Sequence, residues 1–297
     1  MKRREAEELL FYGLALIAAV CASSMLVIII GNIALGAMPS LSWYFLTTAE
    51  VDTPGLGQGI ANAIVGSVMI ATFATIIAIP MATGTAIYLQ KYARDTWATR
   101  SARFLIEVLS GTPSIVLGIF GLLVLVYYLQ FITGGFSFIA GSIALAILII
   151  PVIERAMEEA ISNVPRELEE GSYALGATKW ETIRGLVLPC AFSGLITGAI
   201  LGFGRAAEES AVVIMTAGYT QFLPEFGIRP NNELIFGMKI YPLQDLVATL
   251  PVSVYHAYEN SNVIPVSNAF AAAFVLIVIV LLVNLTAKII LWKYGHD

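Results

Sequence analysis

The chain contains six apolar runs, each long enough to cross a lipid bilayer as a helix. The hydrocarbon core of a bilayer is about 30 Å thick, so a crossing helix needs about 20 mostly apolar residues. Only helices and closed barrels satisfy all their backbone hydrogen bonds in that medium. We therefore predict an all-α integral membrane protein with six transmembrane helices. The runs lie near residues 10–37, 60–89, 104–132, 136–153, 186–218 and 269–292.

The composition agrees with a membrane environment. Charged residues make up 12% of the 297 residues, whereas about a quarter of a soluble domain is charged. The formal net charge of -5 says little about partners, because the charges are concentrated between the runs. Cys21 and Cys190 both lie inside apolar runs. We therefore predict two buried thiols and neither a disulfide nor a metal site, and we expect no organic cofactor.

The placement of basic residues predicts the orientation of the chain. If the six runs cross in turn, thirteen Lys and Arg residues fall on one side, and only Arg229 and Lys239 fall on the other. Because Lys and Arg are enriched in cytoplasmic loops, both termini are predicted to lie in the cytoplasm. The protein would then be a multi-pass component of the cytoplasmic (inner) cell membrane. The first run is too long for the core of a secretory signal peptide, so we interpret it as an anchor helix.

The runs also predict how the chain is divided. Residues 1–59 would form the anchor helix and a first outer loop, and residues 60–293 would form the core. Within the core, a polar segment at 155–185 lies on the cytoplasmic side and a longer one at 219–268 on the outer side. The outer segment contains an apolar stretch at 243–258 that is interrupted by a proline. That pattern predicts a short helix lying over the membrane face.

The cytoplasmic segment reads as two short helices joined by a tight turn. Pro165 suits the first turn of a helix, and Gly176 can adopt the left-handed conformation that ends one. The run from Thr178 to Glu181 fits the S/T-x-x-E capping box that starts the next helix. The residues alone leave two interpretations open, namely an amphipathic linker on lipid headgroups and a helix that docks in a groove of a soluble partner.

The same segment resembles the EAA loop, E-A-A-x3-G-x9-I-x-L-P, of the permeases of ATP-binding cassette (ABC) importers. Gly171, Ser172 and Leu186 stand where that pattern has Ala, Ala and Ile. The resemblance implies a type I (MetI-like) permease core whose coupling helix seats in a cleft of the ATP-hydrolysing subunit. No phosphate-binding loop is present, since Gly176 is not followed by Lys-Ser/Thr; we expect this chain not to be an enzyme and ATP hydrolysis to occur on a separate subunit. The residues expected to take part in coupling are Glu170, Gly171, Ser172, Gly176, Leu186, Leu188 and Pro189.

The fifth run carries three charges, Arg205, Glu208 and Glu209, in an otherwise apolar stretch. Each charge can cost about 2.5–3.5 kcal/mol at the centre of a membrane helix. Spacings of three and four residues place both carboxylates on the helix face of Arg205, where an ion pair lowers that cost. Such charges often mark a polar pathway, although a pairing that only locks the fold stays open. A glycine repeat precedes them and predicts the close approach of another helix; it consists of Gly194, Gly198 and Gly202.

Arg155, just after the fourth run, is a second candidate for the pathway. Its guanidinium offers a fork of N–H donors that suits an oxyanion, while an ordinary basic anchor at the cytoplasmic surface stays open. Four stretches resemble the A-type subunit of phosphate-importer permeases, namely 111–118, 151–158, 205–211 and 250–255. The resemblance implies that Arg155, Arg205 and Glu209 belong to the phosphate pathway or its gating. We place Glu208 with them, although it stands where the family has Gly.

The resemblance implies half of the permease of a high-affinity phosphate importer. Its partners would be a C-type second permease subunit, two ATP-binding subunits and an extracytoplasmic phosphate-binding protein that docks on the outer loop. Membrane lipid would surround the assembly, and nucleic acid is not an expected partner. The extra carboxylate of Glu208 leaves sulfate, molybdate or tungstate open as the substrate. A structural or sensory membrane protein, in which the charges only stabilise packing, is the remaining alternative.

Overall fold

The computed structural model describes residues 2–231, 234 and 237–294, and it is mostly helical. Four helical stretches in this part are long and apolar enough to cross a membrane, and they are Leu10–Ala37, Ala61–Tyr92, Phe138–Ser162 and Val266–Thr286. Two bent helix pairs bring the number to six if each pair is one span, and they are Trp97–Gly111 with Ser114–Tyr128 and Lys179–Cys190 with Phe192–Ala207. By length and composition, this arrangement accommodates the six predicted spans.

The described helices are numbered in chain order. They are α1 (Lys2–Ala37), α2 (Trp43–Thr47), α3 (Ala61–Ile87), α4 (Trp97–Gly111), α5 (Ser114–Gly121), α6 (Gln130–Thr133), α7 (Phe138–Ser162), α8 (Arg166–Ala174), α9 (Lys179–Thr182), α10 (Leu188–Cys190), α11 (Phe192–Ala207), α12 (Ala211–Thr216), α13 (Leu250–Glu259) and α14 (Val266–Tyr294). A 3-10 turn lies at Glu50–Asp52, and π-helical segments lie at Tyr88–Tyr92, Leu122–Tyr128 and Ile183–Val187. The strands β1 (Gly227–Pro230) and β2 (Met238–Tyr241) form an antiparallel hairpin.

The third predicted span, 104–132, is wrong as a single straight helix. The chain turns by 104° between α4 and the helix that starts at Ser114. Pro113 lies at this bend, and because proline has no N–H and disfavours a helical residue before it, Thr112 adopts an extended conformation with ψ of 130°. The two helices reach the length and hydropathy of a span only together, so a crossing here is bent at Pro113. The preceding helix α4 runs at a steep angle to the helix that starts at Ser114, and it carries Arg100 and Arg103.

The fourth predicted span also has a different end. We predicted that it stops at residue 153, but α7 continues to Ser162. Beyond it, the predicted pair of short helices is confirmed as α8 and α9. Pro165 stands immediately before α8 rather than in its first turn, and Gly176 has a φ of 86°. Thr178 and Glu181 form the predicted capping box at the start of α9.

The fifth predicted span, 186–218, is bent and then broken. The chain turns by 65° between the helical stretch that ends at Cys190 and α11. The helix stops at Ala207, and helical structure resumes at Ala211 in α12. The three residues in between are the ones that carry two of the predicted pathway charges. The break therefore lies within the candidate site.

The outer segment contains a feature that the sequence analysis did not predict. The β1–β2 hairpin places Arg229 directly opposite Lys239. The short helix predicted at 243–258 begins only at Leu250, and Pro251 occupies its first turn instead of interrupting it. Proline is well tolerated there, because the first N–H groups of a helix have no partner within the helix.

The first outer loop packs against the beginning of this segment. The Tyr219 hydroxyl donates to the buried carboxylate of Glu50 in this loop, and the side chain of Asn62, in the first turn of α3, donates to the Thr220 carbonyl oxygen over 2.8 Å. Burial raises the pKa of the Tyr219 hydroxyl, and its hydrogen bond to Glu50 raises that pKa further. The hydroxyl therefore stays protonated and remains a donor. Two sequence-distant outer loops are joined in this way.

Helices α3, α7 and α11 pack around the main core. The glycine repeat of α11 faces α7, as predicted: a Cβ at Gly194 would lie 2.1 Å from Ala160 Cβ, and one at Gly202 would lie 2.7 Å from Ile153. Small residues here let the two helix backbones approach closely. The prediction of buried thiols is wrong, because Cys21 and Cys190 are exposed on this chain. An apolar run can face lipid or another subunit, so its hydrophobicity alone does not imply burial within the chain.

We expect Gly194→Ala to destabilise the protein by about 1–3 kcal/mol, because the new methyl group would overlap Ala160 in a packed helix interface. The matched control is Gly204→Ala in the same helix, where no described heavy atom lies within 4 Å of the added Cβ. Thermal unfolding of the detergent-solubilised protein would measure the difference. Equal melting temperatures for the two variants would contradict the packing described here.

Candidate substrate pathway and coupling site

The candidate pathway is centred on the break between α11 and α12. Arg205 lies in the last turn of α11, and its Nη1 is 2.8 Å from Glu209 Oε2. The side chain of Glu209 is only 5% exposed, whereas that of Arg205 is 41% exposed. The pair therefore consists of a buried carboxylate and an accessible guanidinium. The arginine is held from the protein side and still presents guanidinium donors outward.

The other oxygen of Glu209 binds the next helix. Glu209 Oε1 accepts from the backbone N–H groups of Ala211 at 3.1 Å and Val212 at 3.4 Å. These N–H groups belong to the first turn of α12, which has no carbonyl partners for them. A carboxylate is stabilised at such a position by the positive end of the helix dipole. Glu209 thus satisfies backbone groups that the break leaves open, and it fixes Arg205 at the same time.

Glu208 does not take part in this arrangement. It is exposed and lies at the end of α11, where its backbone N–H donates to the Gly204 carbonyl. Among the residues that the structure describes, the ion pair of Arg205 is with Glu209 alone. The prediction that both carboxylates share the face of Arg205 is therefore wrong for Glu208. It assumed a continuous helix, and the helix ends at Ala207.

Arg155 lies on α7 and is also exposed. Its Nη2 donates to Ser110 Oγ over 3.1 Å, next to the bend that ends α4. The neighbouring residues Ile153 and Ala156 pack against Gly198 of α11. Arg205 is seven residues further along α11, which corresponds to about 10 Å of helix rise. The two arginines thus lie on packed helices about two turns apart, and no described contact joins them.

A buried carboxyl group near Arg155 was missed by the sequence analysis. Glu154 is buried in α7, and its Oε1 has no hydrogen-bond partner in the described part of the chain. Its neighbour on the next turn, Glu158, accepts from Gln90 at 2.8 Å and from Arg103. Helical spacing could have indicated that Glu154 is buried, since it shares a face with the buried residues Met157 and Ile161. Within the described ranges, no group of three or more His, Cys, Asp or Glu side chains is placed to hold a metal ion.

The predicted coupling residues separate into two groups. Glu170, Gly171 and Gly176 are exposed around the turn between α8 and α9. Leu186 and Leu188 instead pack against a buried cluster that includes α7 residues, so they support the segment from inside. Ser172 is half-buried and its Oγ lies 2.9 Å from Thr182 Oγ1, and Pro189 is exposed in α10.

Leu175 is an additional surface residue that the motif does not include. It lies directly before Gly176, and 91% of its area is exposed. Burying such a side chain against a partner protein would be favourable, because it would remove apolar area from water. The sequence carried this signal as a single leucine beside the turn glycine. The exposed turn therefore combines an acidic residue with an apolar one.

We expect Glu209→Gln to lower the free energy of unfolding by about 1–3 kcal/mol, because it weakens charge-assisted bonds at a buried position. Glu208→Gln is the matched control and should change stability by less than about 0.5 kcal/mol, as usual for an exposed side chain. Thermal unfolding of the purified protein would compare them. A larger effect of Glu208→Gln would contradict the assignment of Glu209 as the residue that links α11 to α12.

The comparisons with known sequences agree on one family. The family model described as "Binding-protein-dependent transport system inner membrane component" matches residues 78–291. The probable ABC transporter permease protein YqgI of Bacillus subtilis (strain 168) is 34% identical over 276 residues, which cover 90% of each chain. The phosphate transport system permease protein PstA of Yersinia pestis is 33% identical over 240 residues, which cover 81% of this chain and 75% of that protein.

Solved structures show the same fold at low sequence identity. A bacterial alginate ABC transporter, solved in complex with an alginate pentasaccharide-bound periplasmic protein, superposes with a TM-score of 0.63 at 12% identity and covers 94% of each chain. The MetNI methionine ABC transporter in an inward-facing conformation superposes with a TM-score of 0.60 at 16% identity, covering 79% of this chain and 95% of that one. The fold is thus the MetI-like core of ABC-importer permeases. The chain belongs to the family of binding-protein-dependent transport system inner membrane components, as a permease subunit of an ABC importer.

Proposed function

We propose that this chain forms half of the translocation pathway of an ATP-driven importer of inorganic phosphate. The observation that carries the proposal is the accessible guanidinium of Arg205, held by the buried Glu209 at a break in a membrane helix. Relatives that are named phosphate transport permeases support the choice of anion.

The chemistry of a guanidinium suits this task. It carries five N–H donors in a rigid plane, and only one of its nitrogens is directed at Glu209. The remaining donors can bind the oxygens of a phosphate by charge-assisted hydrogen bonds. Because Glu209 fixes the orientation of Arg205, little side-chain freedom is lost when an anion arrives. In this proposal Arg155 is a second contact for the anion, about two helical turns from Arg205. Glu209 positions Arg205 and does not itself bind the anion.

The orientation follows from the basic residues. With both termini in the cytoplasm, α8 and α9 face the cytoplasm and the hairpin faces outward. The turn that carries Glu170, Leu175 and Gly176 would seat in an ATP-binding subunit, and ATP hydrolysis would take place there. We propose two such subunits, a C-type second permease subunit, and a phosphate-binding protein that docks on the outer segment at 219–268. In the proposed division, residues 1–59 are an anchor and first outer loop, and residues 60–293 are the core.

The choice of phosphate has specific alternatives. Glu208 is exposed three residues from Arg205, and its negative charge repels every oxyanion, so it does not by itself select phosphate. Sulfate, molybdate and tungstate are oxyanions that the same guanidinium donors could bind. The bonds from Glu209 to α12 also favour a purely structural use of the ion pair. The variants below separate transport from structure.

We expect Arg205→Lys to lower phosphate uptake by about tenfold or more at unchanged membrane abundance. Lysine keeps the charge that pairs with Glu209, but it lacks the planar fork, and one hydrogen bond to a charged group is worth about 1.5–3 kcal/mol. Uptake would be measured in vesicles that contain the complete importer. The control is Arg100→Lys: Arg100 lies in α4 and forms an exposed ion pair with Asp95, just before that helix, and the variant should transport normally. Lower abundance with normal transport per molecule would instead support the structural role.

Competition would identify the anion. If phosphate is the substrate, an excess of sulfate, molybdate or tungstate should leave uptake of labelled phosphate unchanged, while unlabelled phosphate should abolish it. The selectivity arises because groups that are buried against one anion are left unpaired with another. Strong inhibition by one of the other oxyanions would replace phosphate by that anion.

We expect Leu175→Asp to abolish co-purification of the ATP-binding subunit without affecting the folding of the permease. The side chain is almost fully exposed, so a carboxylate costs nothing within the chain, whereas it would cost several kcal/mol in an apolar cleft of a partner. The matched control is Leu123→Asp, on a span, which should fail to accumulate in the membrane. Normal co-purification of Leu175→Asp would place the docking surface elsewhere.

A further inference from the structure

The π-helical segment Tyr88–Tyr92, at the cytoplasmic end of α3, contacts both helices of the coupling segment. Lys91 Nζ lies 2.5 Å from Glu169 Oε1 in α8, and the two side chains are only 15% and 13% exposed. A pair that is shielded from water is much less screened by salt than a surface pair. The ring of Tyr92 lies 4.8 Å from Lys179 Nζ, at the start of α9. Two separate contacts therefore join the end of α3 to α8 and α9.

The same segment is attached to the core from its other side. Gln90 donates to Glu158 of α7 over 2.8 Å, and Arg103 of α4 binds the same carboxylate. Leu89 is buried. Five consecutive residues thus contact α4, α7, α8 and α9, while the helix they extend, α3, packs along α7 and α11.

Helix α8 has little apolar packing of its own. None of its nine residues, all of which are described, is buried. The hydroxyl pair of Ser172 and Thr182 joins α8 to α9, so the two helices are linked as one unit. With none of its residues fully buried, α8 is held relative to α3 by its polar contact with Lys91. That contact is largely buried, and breaking a buried pair by removing one partner is strongly unfavourable.

We propose that the Lys91–Glu169 ion pair is the joint through which movement of the coupling helices reaches α3, and through α3 the core helices α7 and α11. The role is one of positioning, since neither residue is placed at Arg205 or at the exposed turn. π-Helical segments recur at functional positions. Here one connects α3 with α8 and α9, the helices that move in this proposal. The proposal rests on the assignment as an ABC-importer permease and is independent of which anion is carried.

The experiment uses the complete importer, reconstituted in liposomes, and measures anion taken up per ATP hydrolysed. The variants are Lys91→Met, Glu169→Gln and the charge exchange Lys91→Glu with Glu169→Lys. Because coupling between sites typically changes an equilibrium by about 5–150-fold, each single variant should lower uptake per ATP by about fivefold or more while ATP hydrolysis continues. The charge exchange should recover most of the lost ratio, as expected for two residues that act as a pair.

The control is the Asp95–Arg100 pair, which has the same charges but side chains that are 86% and 72% exposed. Asp95→Asn and Arg100→Gln should leave the ratio unchanged, because exposed pairs contribute little. Wild-type ratios in the single variants, or no recovery in the charge exchange, would overturn the proposal. Failure of the single variants to assemble with the ATP-binding subunit would overturn it as well, because the pair would then hold an interface.

The two proposals fail separately. If the wild-type importer takes up no phosphate, the choice of substrate is wrong, and the same ratio is measured with whichever of sulfate, molybdate or tungstate it does carry. If wild-type phosphate uptake is normal and the ratio is insensitive to Lys91 and Glu169, the joint is wrong and the substrate stands.

Discussion

Inside a bilayer, a backbone N–H or C=O group without a partner costs several kcal/mol, and no water is present to supply one. Every interruption of a membrane helix must therefore be satisfied by the protein itself. The break between α11 and α12 meets this requirement with a carboxylate, since Glu209 accepts from two backbone N–H groups. A carboxylate in that position requires a cation, and Arg205 supplies it. The break thus accounts for the charges of Glu209 and Arg205. The exposed part of the Arg205 guanidinium is left available for other contacts.

The same requirement explains the importance of α7. It packs along both other core helices, and the glycines of α11 allow the two helices to approach closely. Its C-terminal half carries Arg155 on one side and Glu158 on another. A single rigid helix therefore connects the surroundings of the candidate pathway with the polar cluster near the coupling segment. Packed helices of this kind transmit displacements because their interiors have little free volume.

Local features of the fold could be predicted from the sequence. The apolar runs gave the membrane helices, the glycine spacing gave the contact of α11 with another helix, and Thr178 with Glu181 gave the start of α9. Each of these depends on residues within one or two helical turns. The end of α11 at Ala207 could not be predicted, because Glu is a good helix former and no Pro or Gly follows Ala207 before Gly218. The roles of the site residues remain proposals, whereas their positions are now defined.

Contacts between distant parts of the chain were beyond the sequence. Lys91 and Glu169 are 78 residues apart, and no periodicity relates them. Arg155 and Ser110 meet only because Pro113 turns α4 away from the third span. The hairpin was missed because its strands have four residues each, too few for an alternating pattern to stand out. In each case the tertiary arrangement, and not the local propensity, decides the contact.

The bond between Tyr219 and Glu50 bears on how such permeases can be recombined. Glu50 lies outside the region that the family model matches, which begins at residue 78, yet its carboxylate is buried against the start of the outer segment. A chimaera that exchanged only the matched region between relatives would separate Glu50 from Tyr219 and leave the buried carboxylate with the Gly57 N–H as its remaining described donor. The natural unit of exchange therefore includes the first outer loop, and shuffling boundaries belong before Glu50 and not at the edge of the matched region.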